Sequence, residues 1–331
     1  MRILLTGATG FLGQRTLEQF SLNPDIKSVL ATGRTLKVTH FAENSKIKYE
    51  LGNLVDLGFV KRMVSQADII VHAAALSSPW GTYEEFEEAN LTSIKNLIIA
   101  AKESSINRII YISTPSVYFN LHDRFNIKES EDLPGKFINA YAKTKYEAEL
   151  ELIRSGIPYV ILRPRALIGR GDTVLMPRLI RAYNENKLKI VGNGENRVDL
   201  TSVANVAYAI ELSLNVDAKG LNQVYNISND EPVNLWNTIE KMLILLGMKL
   251  EKRKVPYALA TFVARLMELK SKMTDYKEPA LTRYSVGTLA KSFTMDISKA
   301  KQLLGYRSKV STDEAMMEFA EWYKDILDER G

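Results

Sequence analysis

The chain has 331 residues, 44 Lys and Arg against 39 Asp and Glu, a formal net charge of +5, and no cysteine. Its 46% hydrophobic and 25% charged content is that of a globular chain of one large or two intimate domains, not a disordered or fibrous one. The missing cysteine excludes disulfides, thiolate metal sites, iron–sulfur clusters and a cysteine nucleophile. The three histidines, His40, His72 and His122, lack metal-ligand spacing, so no metal is expected. The basic charge is dispersed, so no nucleic-acid partner is expected either.

Arg2–Thr6 (RILLT) reads as a first buried strand. Only three apolar residues separate Arg2 from the following polar and glycine positions, which is no signal peptide, and no run approaches the ~18 apolar residues of a membrane span. The expectation is a soluble, cytoplasmic protein. The strand runs into Gly7-Ala8-Thr9-Gly10-Phe11-Leu12-Gly13. Gly7 permits a tight turn, Gly10 a close backbone approach to a diphosphate, and Gly13 close helix–strand packing. A helix opening there offers free N–H groups and a positive dipole end to phosphates.

Ser28–Thr32 is the second strand, and Gly33-Arg34 follows it. An acid in this region would bind the ribose 2′-hydroxyl of NAD. Glycine with an adjacent guanidinium favours a 2′-phosphate instead, so NADP(H) is preferred over NAD(H); the alternative is that Arg34 is a solvated surface arginine. Ile47–Leu51 precedes Asn53 and Leu54, placed to meet an adenine. Asp68–Ala73 ends in small residues, Ala73, Ala74 and Ala75, that let a dinucleotide lie close to the sheet. His72 is expected to be a packed histidine without chemistry.

Leu91, Ile94, Leu97, Ile98 and Ala101 form one helical stripe, and Tyr146, Leu150 and Ile153 a second. Between them Arg108–Ser113 is a strand followed by Ser113, Thr114 and Ser116, hydroxyls able to bind a substrate oxygen. Tyr141-x-x-x-Lys145 puts a phenol and an ammonium on one helix face. A phenol of pKa ~10 must drop by about 3 units to work near pH 7, which takes about 4 kcal/mol; an ammonium and an oxidised nicotinamide together supply this. Pro158–Leu162 is the next strand, and Pro164 beyond it is counted with the cofactor contacts. Pro177–Glu185, Val203–Leu214 and Asn234–Leu246 read as helices, Gln223–Ile227 as a strand, and Asp313–Asp328 as an amphipathic core helix. Strand–helix alternation points to a doubly wound parallel α/β (Rossmann) sheet over residues 1–165, with 200–228 returning to it. Residues 166–199 and 229–331 form a smaller, mostly helical substrate lobe.

These motifs give the chain a resemblance, across nearly its whole length, to the extended short-chain dehydrogenase/reductases of the NAD-dependent epimerase/dehydratase superfamily. Thr6–Gly13 resembles their TGxxGxxG, and Tyr141 with Lys145 their YxxxK pair. Thr114 falls at the third catalytic position, and Asn90 at the asparagine beside the cofactor. The resemblance implies Thr114, Tyr141 and Lys145 as catalytic residues, and Gly7, Thr9, Gly10, Phe11, Leu12, Gly13, Arg34, Asn53, Leu54, Ala73, Ala74, Ala75, Asn90, Ser113, Tyr141, Lys145 and Pro164 as cofactor contacts. Sugar-nucleotide epimerases carry an asparagine where Leu162–Gly169 has none. The 4,6-dehydratases have an Asp-Glu pair where Pro115-Ser116 stands. Ser77–Gly81, Arg163–Asp172 and Pro279–Tyr284 instead resemble the 3β-hydroxysteroid dehydrogenase-like branch, which includes the 2-alkyl-3-oxoalkanoate reductases.

That branch implies an NADP(H)-dependent oxidoreductase interconverting a ketone and a secondary alcohol on an apolar small-molecule substrate, either a 3-oxo acid or a steroid-like molecule. Trp80, Tyr83 and Val255–Leu269 are pocket candidates. The alternatives are a sugar-nucleotide epimerase with bound NAD and an NADP(H)-sensing regulator without catalysis. A homodimer through Asn90–Lys102 and Tyr141–Ile153 is a family-level expectation. Asn53 and Asn205 depart from the pattern, each standing where aspartate is common; at Asn205 a helix cap should be altered but kept.

Overall fold

The computed structural model describes residues 1–36 and 44–328. Seven strands, β1 (Arg2–Thr6), β2 (Ser28–Thr32), β3 (Ile47–Tyr49), β4 (Ile69–His72), β5 (Arg108–Ile112), β6 (Tyr159–Pro164) and β7 (Gln223–Ile227), form one sheet. Every pair is parallel, in the order β7-β6-β5-β4-β1-β2-β3. The strand order reverses between β1 and β4, which opens a crevice at the carboxyl edge of the sheet.

The helices are α1 (Phe11–Leu22), α2 (Leu57–Val64), α3 (Ser93–Glu103), α4 (Ala140–Arg154), α5 (Leu175–Asn184), α6 (Val203–Leu214), α7 (Leu235–Leu245), α8 (Tyr257–Met273), α9 (Arg283–Ala290) and α10 (Thr312–Asp328). Alternate residues of each strand serve opposite faces. Ile3, Leu5, Val71, Ile110, Ile112, Val160 and Leu162 pack with Leu17 and Phe20 of α1 and with Val206 and Ile210 of α6. Leu4, Ile70, Ile109, Tyr111 and Ile161 pack with Phe59 and Met63 of α2, Ile94 and Leu97 of α3, and Leu152 of α4. Each such side chain contributes about 1.5–3 kcal/mol on burial, so the sheet edge that carries the crevice is rigid.

The stripe predicted on Leu91–Ala101 is buried. The second stripe is not the core face of α4: Ile153 is 40% exposed, and the helix buries Ala142, Thr144, Lys145, Ala148, Glu149 and Leu152 instead. The face that turns inward carries Lys145 and Glu149, and two charged groups hide it from a hydrophobic pattern. The strand expected at Ile47–Leu51 stops at Tyr49, because Leu51 is exposed at the sheet edge.

Past β6 the chain builds a second layer. Ile168, Met176, Ile180, Met242, Met316 and Phe319 form one cluster, and Ile190, Trp236, Leu243, Ala260, Ala264 and Val286 another. A small sheet joins Val233–Asn234, Arg197–Val198, Phe293–Met295 and Arg124–Ile127, so a segment from between β5 and α4 is knitted into this layer. On α8 the large apolar residues Leu259, Phe262, Leu266 and Leu269 are exposed, while Ala260, Ala264 and Glu268 turn inward. Asn205 makes no cap for α6. Its Oδ1 accepts from the backbone of Lys309 and Val310, and its Nδ2 donates to the Val310 carbonyl and to Asn229, pinning the approach to α10. Among the described residues, no helix is long and apolar enough to cross a membrane.

Candidate active site

The glycine turn closes with the Gly10 N–H donating to the Gly7 carbonyl at 3.0 Å. Gly7 has φ +71°, and a Cβ there would come 2.6 Å from the Ala74 nitrogen; a Cβ on Gly13 would come 2.1 Å from the Gly7 oxygen. Glycine is therefore required at both, and α1 is pressed against the turn. Gly10 opens α1 with no side-chain cap, and no acid occupies the first turn. The unpaired N–H groups and the positive helix end fit a dinucleotide diphosphate. Thr9, Phe11 and Leu12 are half-buried around that opening.

Ala73 and Ala74 line the opposite wall, their N–H groups donating to the Thr6 carbonyl (3.2 Å) and to the Thr6 hydroxyl (3.3 Å); Ala75 beyond them is exposed. Arg34 is exposed just past β2. Asn53 spends its Oδ1 on the Val55 N–H at 3.2 Å, and Asn96 holds the Leu54 and Val55 carbonyls at 3.0 and 2.9 Å. Asn90 lies in a π-helical turn, Glu87–Thr92, between the short helix Tyr83–Phe86 and α3. Its Oδ1 accepts from Leu76 N at 2.8 Å, and its Nδ2 donates to the Leu76 carbonyl and to the Thr144 hydroxyl. It thus ties the loop after β4 to α4, with both polar groups used by the protein. Pro164 is buried at the end of β6.

Thr114, Tyr141 and Lys145 come together at the carboxyl end of β5. Thr114 caps a 3-10 turn, Pro115–Tyr118, accepting from Ser116 N at 3.1 Å, and its hydroxyl neighbours the Tyr141 phenol. Burial raises the pKa of Tyr141, and the neighbouring Thr114 hydroxyl pulls it back. Lys145 is 1% exposed; its Nζ donates to the Ile112 carbonyl at 2.6 Å and lies 4.0 Å from the Tyr111 ring centroid. Burial lowers its pKa to about 7, against the opposing pull of Glu149. The groups acting on the phenol are thus Thr114 and Tyr284, and the lysine is turned to a backbone oxygen.

Behind the site lies a buried polar network. Arg163 pairs with Glu149, its Nε donating to Oε1 at 2.9 Å, and it also donates to the Tyr118 hydroxyl. Tyr118 donates to Asn226 at 3.1 Å, and Ser113 donates to Glu149. The Ser113 hydroxyl is thereby committed to the network. His72 is a packed histidine: its Nδ1 lies 2.7 Å from the Thr6 hydroxyl, its ring stacks on Tyr111, and burial holds its pKa at about 3.

Tyr83 donates to Glu147 at 2.8 Å under Lys143, and Trp80 donates to the Tyr276 carbonyl at 3.0 Å. Trp80 thus docks the loop after β4 onto the C-terminal layer. Residues not assigned to the site from the sequence also converge on it. Phe86 lies 6.1 Å from Tyr141 between ring centroids, and the Tyr284 hydroxyl is 3.0 Å from Ser116 Oγ. Among the described residues no group of three or more His, Asp or Glu side chains could hold a metal, and His40 lies outside the described residues.

Comparison with known proteins agrees with this geometry. Residues 3–228 match the NAD dependent epimerase/dehydratase family. A 2-alkyl-3-oxoalkanoate reductase of Shewanella oneidensis is 32% identical over 94% of this chain and 84% of its own. A 3beta-hydroxysteroid-dehydrogenase/decarboxylase isoform 1 of Arabidopsis thaliana is 33% identical over 82% of this chain and 66% of its own. Among solved structures, the UDP-glucose 4-epimerase of Thermotoga maritima with UDP-glucose superposes with a TM-score of 0.76 at 21% identity, covering 99% of this chain and 100% of that one, which speaks to the fold alone. With its seven-stranded parallel sheet, its glycine turn and its Tyr–Lys helix, the chain belongs to the NAD dependent epimerase/dehydratase family.

Proposed function

We propose that the chain is an NADP(H)-dependent oxidoreductase that interconverts a ketone and a secondary alcohol on an apolar substrate. The observation that carries this reading is the Thr114–Tyr141 hydroxyl pair beside buried Lys145, at the crevice where the uncapped α1 opens. A nicotinamide cofactor supplies or accepts the hydride. Tyr141 gives its proton to the carbonyl oxygen in reduction and takes it back in oxidation. Thr114 holds that oxygen in line with the phenol. Lys145, released from the Ile112 carbonyl, binds ribose hydroxyls and lends its charge to the phenolate.

Gly7, Gly10, Gly13 and the first turn of α1 take the diphosphate, and exposed Arg34 the 2′-phosphate. Ile99 and Ile153, 42% and 40% exposed on α3 and α4, are suited to a homodimer contact, which light scattering reads directly. The similarity to a 2-alkyl-3-oxoalkanoate reductase and a steroid dehydrogenase supports the substrate class. NADPH oxidation is to be followed across 3-oxo acids, steroid ketones, aldehydes and UDP-sugars. Turnover of the first two supports the reading. Turnover or tight binding of UDP-sugars with retained NAD supports an epimerase instead.

A further inference from the structure

We propose that Arg165 is a substrate-anchoring residue that receives a carboxylate carried near the reacting carbonyl. This rests on the reading of the site as a ketone reductase and narrows its substrate to an acid. Arg165 stands one residue past β6, held at both ends: its N–H donates to the Ile227 carbonyl at 3.1 Å and its own carbonyl accepts from the Thr201 hydroxyl. The next residue, Ala166, has φ +38°, a left-handed conformation that a residue with a Cβ rarely adopts. The backbone is thus held in an unfavourable shape where it launches this side chain.

The guanidinium lies 4.6 Å from the Phe293 ring centroid, and its Nε is buried with no partner. Among the described residues no carboxylate forms an ion pair with it. Asp199 and Tyr284 are the groups that face it electrostatically. Asp199 uses Oδ2 to accept from Met295 N at 2.6 Å and keeps Oδ1 buried and unpaired, so it is not a matched partner. Arg163, two residues earlier, shows the contrast: it is satisfied by Glu149 and Tyr118. The guanidinium thus has a buried, unpaired Nε and no matched anion, and a bidentate carboxylate supplies one.

Its place identifies the ligand chemistry. Tyr284 bonds Ser116, which is two residues from Thr114, and it acts electrostatically on both Tyr141 and Arg165. Packing connects the two: Phe293 under the guanidinium lies 5.9 Å from Phe119 between ring centroids, and Phe119 lies 5.7 Å from Tyr284, edge to face. A substrate with its carboxylate close to the carbonyl carbon, as in a 3-oxo acid, matches this neighbourhood. A single guanidinium matches a single carboxylate.

The test uses 3-hydroxydecanoate and its methyl ester with NADP+ and the wild-type, Arg165→Met and Arg165→Lys proteins. In the reaction C3 would pass a hydride to NADP+ while the hydroxyl proton would go to the Tyr141 phenolate and on to solvent, giving the 3-oxo compound, NADPH and a proton. Wild type should favour the acid in kcat/KM. Arg165→Met should cut the acid-to-ester ratio by about 10–100-fold, mainly through KM, and Arg165→Lys should restore part of it. An unchanged ratio, or a wild type indifferent to the charge, overturns the proposal while leaving the reductase reading intact. Calorimetric binding of 3-hydroxydecanoate in the presence of NADP+ separates the two: binding that Arg165→Met abolishes, with neither compound oxidised, keeps the anion site and removes the reductase reading. Absence of binding as well as turnover overturns both.

Discussion

Glu149 and Arg163 should be worth far more to each other than to the fold. Their side chains are 1% and 5% exposed, Arg163 makes a two-pronged contact with the carboxylate, and Ser113 and Tyr118 complete the network. Removing either partner leaves a desolvated charge and costs about 3–5 kcal/mol, a large part of a typical total stability of ~5–15 kcal/mol. Removing both, as in Glu149→Leu with Arg163→Met, leaves the Ser113 hydroxyl short of a partner, at about 1–3 kcal/mol, while Tyr118 keeps Asn226. Urea unfolding of wild type, both single variants and the double variant closes a double-mutant cycle. The double variant should fall about 1–3 kcal/mol below wild type, well short of the ~6–10 kcal/mol of additive singles. Additive losses would refute the reasoning, because they would mean that neither charge depends on the other. The cycle also reaches the active site. Glu149 raises the pKa of Lys145, so Glu149→Gln should move the lysine further below about 7, and activity that needs the ammonium should fade at lower pH than in wild type.

Arg34→Ser should weaken NADPH binding about 10–100-fold, the worth of a charge-assisted hydrogen bond, and leave NADH binding nearly unchanged; fluorescence titration with both nucleotides reads this, and equal losses would place the arginine away from the 2′-phosphate. His72 has a folded pKa of about 3 against an ordinary 6.5. Below pH ~6.5 the unfolded chain takes up a proton that the folded one refuses, so stability falls with decreasing pH, by about 1.4 kcal/mol per unit down to the folded pKa. His72→Phe should therefore lose about 2–3 kcal/mol less than wild type between pH 7 and 4.5 in urea titrations; parallel losses would show that His72 takes no part.

Much of the cofactor half is legible in the sequence because its signals are local. The glycine turn follows a short buried strand directly, and the Tyr–Lys pair sits at helical spacing, so both can be seen within a dozen residues. Strand–helix alternation gives the doubly wound parallel class, while the strand order emerges only in the folded sheet. Long-range convergence hides the rest. Ser116 and Tyr284 lie 168 residues apart and meet only because α9 packs beside the turn that follows β5. Glu149 reads as one more polar helix residue until its partner on β6 is known, and burying it with Lys145 is what misleads the stripe of Tyr146, Leu150 and Ile153. Arg165 reads like any surface arginine, since its isolation is a property of the packed neighbourhood.

The account turns on Tyr141 as the proton donor. Tyr141→Phe removes only the hydroxyl that pairs with Thr114. Single-turnover reduction of a 3-oxo acid by the variant, with NADPH binding measured in parallel, should show a rate loss of about 100–10,000-fold at nearly unchanged NADPH affinity. Reduction at close to the wild-type rate would contradict the mechanism.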